Sequence, residues 1–225
     1  MRQEWADYRV FWREFRHTFQ STGAVLPSGR ALSTALARFV RPANDDDLAQ
    51  AKGDSPAGRR ILEVGPGTGA VTGQIVRHLQ PSDRLVLVER NSQFVSRLED
   101  RLAHDPVFQK AASRLTIVHA GVEELPEEER FDVIVSGLPL NNFSVAFVEQ
   151  ILDKLRRLLA PGGTLSFFEY VAIRRAKALV SRPTERVRLR GIAMLMEDLC
   201  RTAQVQRECV LTNVPPAWVH HVRFG

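Results

Sequence analysis

Three glycines stand between an apolar run and a helical stretch in Ile61-Leu62-Glu63-Val64-Gly65-Pro66-Gly67-Thr68-Gly69. Glycine lets backbone pass close to a bound ligand, so Gly65, Gly67 and Gly69 describe a loop suited to close approach. A dinucleotide pyrophosphate cradle has the spacing G-x-G-x-x-G. This loop runs G-x-G-x-G with Glu63 ahead of it inside the strand, which makes that cradle the weaker reading. A second apolar run, Leu85-Val86-Leu87-Val88-Glu89, ends in a carboxylate about twenty residues further on and is followed by Arg90. A third run, Phe131 to Val135, leaves through Ser136-Gly137-Leu138-Pro139-Leu140, where the proline fixes a turn. A fourth ends in Glu169, which could take a proton, and Tyr170, whose ring or hydroxyl could face a cation.

These groups need a scaffold that brings strand ends together. Arg60 to Val64, Arg84 to Glu89, Leu115 to His119, Phe131 to Val135 and Thr164 to Tyr170 read as strands, while Val71 to Leu79, Ser92 to Ala103 and Val145 to Leu159 read as helices. Strand and helix in alternation predict an α/β fold with a parallel sheet covered on both faces. The rhythm then breaks: a helix from Glu185 to Ala203 precedes Gln206 to Thr212 and Trp218 to Arg223, which read as a closing antiparallel hairpin around Asn213, Val214, Pro215 and Pro216. Residues 42–60, with Asp45, Asp46 and Asp47, read as a polar linker between an N-terminal region, 1–41, and the main domain, 61–225.

A chain of 225 residues with 44% hydrophobic content can bury one sizeable core. The first forty residues interleave aromatics with arginines, unlike an export signal, and no apolar run is long enough to span a bilayer, so a cytoplasmic protein is expected. Cys200 and Cys209 match neither a zinc site nor a redox pair, and no metal is expected. The net charge of +5 and pI of about 9.7 favour an anionic partner.

The form E-x-G-x-G-x-G at Glu63 to Gly69 resembles motif I of class I S-adenosylmethionine-dependent methyltransferases. The resemblance implies a Rossmann-like, mostly parallel seven-stranded sheet. It also implies that Gly65, Gly67 and Gly69 border the methionine and ribose of the cofactor, that Glu63 supports the loop or the amino group, and that Glu89, followed by Arg90, accepts from the ribose. S-adenosylhomocysteine would be the product. Many of these enzymes carry Gly-Asp where this chain has Ala120-Gly121, the aspartate receiving the adenine amine; Val122 or Glu123 are the candidate substitutes. At Ser136 to Leu140, rRNA adenine dimethylases carry Asn-Leu-Pro-Tyr. Here the proline turn is kept without the aromatic, which removes a stacking platform of roughly 1–3 kcal/mol for a base.

With Thr22-Gly23-Ala24-Val25-Leu26-Pro27-Ser28, Leu159-Ala160-Pro161-Gly162-Gly163 and Asn213-Val214-Pro215-Pro216-Ala217 added, the chain is similar to the bacterial phospholipid N-methyltransferases from about Phe11 to Phe224. That family resemblance implies methylation of the amine of phosphatidylethanolamine, with relatives acting on ornithine lipids. Thr22, Gly23 and Ser136 would join the cofactor site; the Gly137 or Leu138 carbonyl would position the amine, with Pro139 fixing the turn.

A helical projection from Trp5 places Trp5, Tyr8, Trp12, Phe15 and Phe19 within about 80° of one another, with Arg2, Arg9, Arg13 and Arg16 in the adjoining stripe. Such a helix suits an anionic bilayer surface, aromatics inserted and arginines at the phosphates. A second basic group, with Arg174, Arg175, Arg188 and Arg190, follows the fifth strand, where substrate-covering insertions sit. The expected partners are therefore an anionic membrane surface, contacted peripherally from the cytoplasmic side, and a lipid amine, with no nucleic acid and a monomer favoured. Two other readings stay open: rRNA adenine dimethylation, and a non-catalytic membrane-binding adaptor.

Overall fold

The computed structural model describes residues 27–41, 58–170, 183–213 and 216–224. Seven strands form one sheet: β1 (Arg60–Val64), β2 (Arg84–Glu89), β3 (Leu115–His119), β4 (Phe131–Ser136), β5 (Leu159–Tyr170), β6 (Gln204–Val210) and β7 (Ala217–Arg223). Their order is β3-β2-β1-β4-β5-β7-β6. Pairs from β3 through β5 run parallel, and β7 is antiparallel to both β5 and β6. The expected mostly parallel, class I methyltransferase-type sheet with an antiparallel C-terminal hairpin is therefore the observed fold. Chain direction across the sheet reverses between β1 and β4, and such a switch point opens a crevice at the strands' carboxyl ends.

Six α-helices are described: α1 (Pro27–Leu36), α2 (Ala70–Val76), α3 (Ser92–His104), α4 (Pro106–Gln109), α5 (Val145–Leu158) and α6 (Pro183–Ala203). Strand alternation divides the core. Leu62, Val64, Ile134, Leu165 and Phe167 face one side, with Ile151, Leu155 and Leu158 of α5 and Ile192 and Met196 of α6. Ile61, Leu85, Leu87, Val133 and Val135 face the other, with Leu32 and Leu36 of α1, Ile75 of α2 and Leu98 of α3.

Helix starts are chemically marked. Asn91 accepts from the Gln93 amide at 2.9 Å before α3, Asp105 accepts from Val107 at 2.9 Å before α4, and Ser144 accepts from Phe147 at 3.3 Å before α5. Buried Val148, Ile151, Leu155 and Leu158 follow the three-and-four spacing of a single helical face.

Several boundaries moved. The helix predicted to reach Leu159 ends at Leu158, and β5 begins at Leu159 rather than Thr164. Its register against β4 shifts between Phe131 and Val133, which accommodates the Pro161-Gly162-Gly163 stretch. The hairpin's first strand starts two residues earlier than predicted, at Gln204. At the end of the predicted linker, Arg59 already bonds Asp83 through its backbone amide at 3.0 Å and Arg60 already belongs to β1.

Candidate cofactor and acceptor site

Gly65, Gly67 and Gly69 all adopt positive φ (68°, 56° and 80°), turning the chain sharply from β1 into α2. A Cβ on Gly67 would meet nothing within 4 Å, so this glycine presents bare backbone to open space, where a ligand can approach. From behind, Arg101 of α3 braces the loop. Its guanidinium donates to the carbonyls of Thr68 at 3.0 Å and Gly69 at 2.9 Å, pairs with Asp105 at 2.8 Å and lies 4.1 Å over the Phe108 ring. In the sequence, Arg101 is marked only by its i,i+4 spacing to Asp105.

Glu89 ends β2 with its carboxylate under the loop: one oxygen accepts from the Gly67 amide at 3.1 Å and the other from Asn91 at 2.8 Å. Burial raises its carboxyl above the usual range, and the amides of Asn91, Gly67 and Arg90 partly offset this. A carboxylate offers about four lone-pair directions, so both oxygens retain accepting capacity. Glu63 is different. It is fully buried on the α2 side of β1, and neither its oxygens nor the Thr72 hydroxyl has a hydrogen-bond partner among the described residues. Burial pushes the carboxyl up to about 8, and the Glu89 charge nearby adds to the rise.

A narrow, largely apolar cleft opens beside these strand ends. Val64, Gly65, Val88, Glu89, Arg90, Gly121, Val122, Glu123 and Leu138 line it, which brings together most of the described cofactor candidates. Phe143, just ahead of α5, and Phe147 and Ile151, four apart on that helix, complete the apolar wall; the helical spacing of the last two was their signal in the sequence. Phe143 and Phe147 meet edge to face at 5.4 Å.

The proline turn closes the cleft. The Gly137 amide donates to Val64 at 2.8 Å, Leu138 fits against Gly65, and Ser136 is buried with its hydroxyl 3.4 Å from the Leu138 amide. After Pro139, Leu140 is only 2% exposed and points into the core.

Glu169 and Tyr170, named together at the acceptor, fall on opposite faces of β5 because successive side chains alternate. The Glu169 carboxylate lies 3.5 Å from His220 Nε2. The Tyr170 ring packs on Phe168 at 5.1 Å on the other face, and burial raises its phenol.

Arg188, expected on a membrane or substrate face, is instead part of the internal structure. It donates to the carbonyls of Phe143 and of Asn141, the latter at 3.0 Å, and pairs with Glu185 at 2.6 Å. Two hydrogen bonds to those carbonyls and two to Glu185 leave its guanidinium little to offer a surface. Arg190 is exposed, close to exposed Val187 and Met194 on α6.

Thr22, Gly23, the aromatic and basic positions from Arg2 to Phe19, and Arg174 and Arg175 lie outside the described residues. Among the described residues no helix is long and apolar enough to cross a membrane, and no group of three or more His, Cys, Asp or Glu residues is arranged to hold a metal ion.

Residues 61–163 match the family model described as a methyltransferase domain. Together with the sheet order, this gives that part of the chain the fold of the class I methyltransferases. The chain is 29% identical over 114 residues to an ornithine lipid N-methyltransferase of Singulisphaera acidiphila, covering 48% of this chain and 56% of that protein. It is 32% identical over 114 residues to the ubiquinone/menaquinone biosynthesis C-methyltransferase UbiE of Stutzerimonas stutzeri, covering 50% of this chain and 42% of that protein. The match thus spans about half the length of these curated relatives. Among solved structures, the N-methyltransferase NodS from Bradyrhizobium japonicum WM9 superposes with a TM-score of 0.58 at 21% identity, covering 88% of this chain and 96% of that one. The O-methyltransferase from Bacillus cereus in complex with SAH gives 0.59 at 16% identity, covering 89% and 83%. Both likenesses concern the fold.

Proposed function

We propose that the protein transfers a methyl group from S-adenosylmethionine to the primary amine of a membrane lipid head group, phosphatidylethanolamine or an ornithine lipid, working peripherally at an anionic membrane surface. The observation that carries this reading is the direct contact between the glycine loop and the proline turn, Gly137 on Val64 and Leu138 on Gly65, so that a donor bound at the loop would lie beside an acceptor held at the turn. The loop fits the donor: Gly67 offers bare backbone, Glu89 a carboxylate, and Val88, Val122 and Phe143 an apolar slot.

Bound S-adenosylmethionine would supply an electrophilic methyl group on a positively charged sulfur. The work left to the chain is alignment, and orientation of this kind can contribute about 7–11 kcal/mol. In this reading Glu89 holds the ribose hydroxyls and the Gly137 or Leu138 carbonyl holds the acceptor amine, with Pro139 fixing the turn. A lipid amine resembles lysine, with a pKa of about 10, so a base must accept its proton; Glu169 or water takes it. Desolvation in the cleft lowers the amine's pKa and eases that transfer.

The lipid amine is favoured over a nucleobase because Leu140 is buried and offers no flat platform. The N-methylating relative acts on an ornithine lipid by name, which agrees with the particular Ser-Gly-Leu-Pro-Leu turn. Similarity to UbiE supports a second reading, methylation of a quinone precursor at carbon.

One experiment separates the two. The full chain is expressed in a host lacking methylated lipids, and both the polar lipids and the quinones are analysed by mass spectrometry. Increments of one to three methyl groups on an amine lipid are expected. Unchanged amine lipids beside a methylated quinone precursor would replace the proposal with the second reading.

A further inference from the structure

Behind Glu169 lies a polar cluster on the face of the sheet that carries the cleft. Phe167 belongs to the same core as Val64, Leu138 and Phe143 of the cleft wall, and Glu169, two positions further along β5, falls on the same side. The parallel register pairs Val133 with Thr164 and Val135 with Ser166; continued past the end of β4, it brings Glu169 level with Leu138 of the proline turn. Among the described residues, Cys200 of α6, Arg207 of β6, and Trp218 and His220 of β7 gather on this face. His220 Nε2 lies 3.5 Å from Glu169 Oε1, and His220 Nδ1 lies 3.3 Å from Cys200 Sγ. The imidazole stacks on Phe167, 5.2 Å between centroids and 15° between planes, which fixes the plane of the ring. Trp218 stands opposite Glu169 in the β5–β7 register and carries Arg207 over its ring at 3.6 Å. Burial pushes the Cys200 thiol up to about 11, with Glu169 adding to the rise and Arg207 opposing it.

We infer that Cys200 and His220 are positioning residues that aim Glu169 at the head-group amine, the thiol setting the imidazole and the imidazole setting the carboxylate. The inference rests on the amine-methylation reading above. A thiol that stays protonated donates its S–H to Nδ1, and a ring that accepts at Nδ1 carries its proton on Nε2, toward Glu169. The 3.5 Å separation is longer than a hydrogen bond; catalytic contacts of this kind are often long before the substrate enters and tighten with it. A carboxylate has about four lone-pair directions, so a donor from His220 leaves room for the ammonium. The proton then passes in one step: an N–H bond of the ammonium breaks, an O–H bond forms on Glu169, and both charges are cancelled. The amine lone pair is left for the methyl carbon.

The test is steady-state kinetics of the full chain on phosphatidylethanolamine in mixed micelles, with an ornithine lipid in a parallel arm, from about pH 5.5 to 9. His220→Phe keeps a ring on Phe167 but has no donor. Its kcat at pH 7 should fall at least about tenfold, with KM for the lipid and affinity for S-adenosylhomocysteine within about twofold of the natural protein's. The acid limb of kcat should move to higher pH, because a carboxylate that loses a donor takes up its proton more readily. His220→Gln returns an N–H near the Nε2 position and should recover most of the rate and the original limb. Cys200→Ala releases the lock on the ring and should move the limb the same way by less; it carries the test if His220→Phe does not fold. A rate unchanged, or lowered equally at every pH, overturns the inference while the amine reading stands. If the natural protein methylates neither lipid, both fall.

Discussion

Gly137 and Gly65 pack backbone against backbone: a Cβ on Gly137 would lie 2.7 Å from the Gly65 carbonyl oxygen. At this point the glycine loop and the proline turn meet backbone to backbone, and the Gly137 amide anchors the contact on Val64 at 2.8 Å. Gly137→Ala must push the two loops apart. Overpacking of this kind costs about 1–3 kcal/mol, and the displaced loop should bind S-adenosylhomocysteine at least about tenfold more weakly. Urea denaturation and calorimetry measure the two effects. An unaltered affinity would mean that the turn and the ligand site are independent.

Glu63 makes the second prediction, through pH. Its carboxyl is raised in the folded chain from an ordinary 4.5 to about 8, because burial disfavours the charge. Between those values the folded state keeps a proton that the unfolded chain releases. The stability this group contributes is therefore full below about pH 4.5 and is lost as pH rises through about 8. Glu63→Gln removes the titration without changing the shape. The unfolding free energy of the variant, relative to the natural protein, should climb by a few kcal/mol from pH 5 to pH 8.5. Parallel curves across that range would mean that Glu63 has a hydrogen-bond partner in solution.

The sheet and the donor half of the cleft were legible in the sequence because their signals are local. Ile61 to Gly69 and Leu85 to Glu89 each combine an apolar strand with a chemically marked end, and the strand gives position as well as type. What escaped depends on contacts between distant segments. Arg188 looked like one of a basic series, since nothing near it in sequence shows that the carbonyls of Asn141 and Phe143 face it. Glu169 and Tyr170 looked like a pair because they are adjacent, although strand alternation sends neighbours to opposite faces. At Gly121 the sequence offered Val122 or Glu123 without choosing between them, and it is the folded turn that brings the Glu123 carboxylate into the space beside Gly121.

Arg188 carries the third prediction. It closes the 140–143 turn onto α6, and Gly191, one helical turn along, lies so close to Val145 that a Cβ would be 2.7 Å from Cγ2. Arg188→Ala leaves two carbonyls short of a donor and Glu185 short of its partner, an effect worth about 1–3 kcal/mol. Hydrogen exchange should quicken most at residues 140–147 and in α6, with β1 and β2 unchanged. Uniform quickening over the whole sheet would show that Arg188 supports global stability and not this turn.

The last prediction concerns the clamp between the 3-10 turn after α1, residues 38–40, and the C-terminal hairpin. Arg38 grips Glu208 with two hydrogen bonds, 2.9 and 2.8 Å; Glu208 lies 3.3 Å from His221 Nε2; His221 Nδ1 meets the Ser166 hydroxyl at 2.8 Å. Burial lowers the His221 pKa from its ordinary 6.5, with Glu208 partly opposing. The ring is then neutral at pH 7, donating from Nε2 to Glu208 and accepting at Nδ1 from Ser166. Burial works against the Glu208 charge too, yet Arg38 and His221 hold its carboxyl below the ordinary 4.5. Both depressed groups contribute stability that is present above their unfolded values and lost as pH falls through the folded ones. The natural protein should therefore weaken progressively below about pH 6.5, as the unfolded histidine gains a proton that the folded ring resists. Replacing the imidazole by His221→Gln removes its part of that dependence and leaves the carboxylate's. The variant should be less stable than the natural protein at pH 7.5, with the difference narrowing by pH 5.5. Thermal unfolding across that interval decides it, and a difference independent of pH would remove His221 from the acid response.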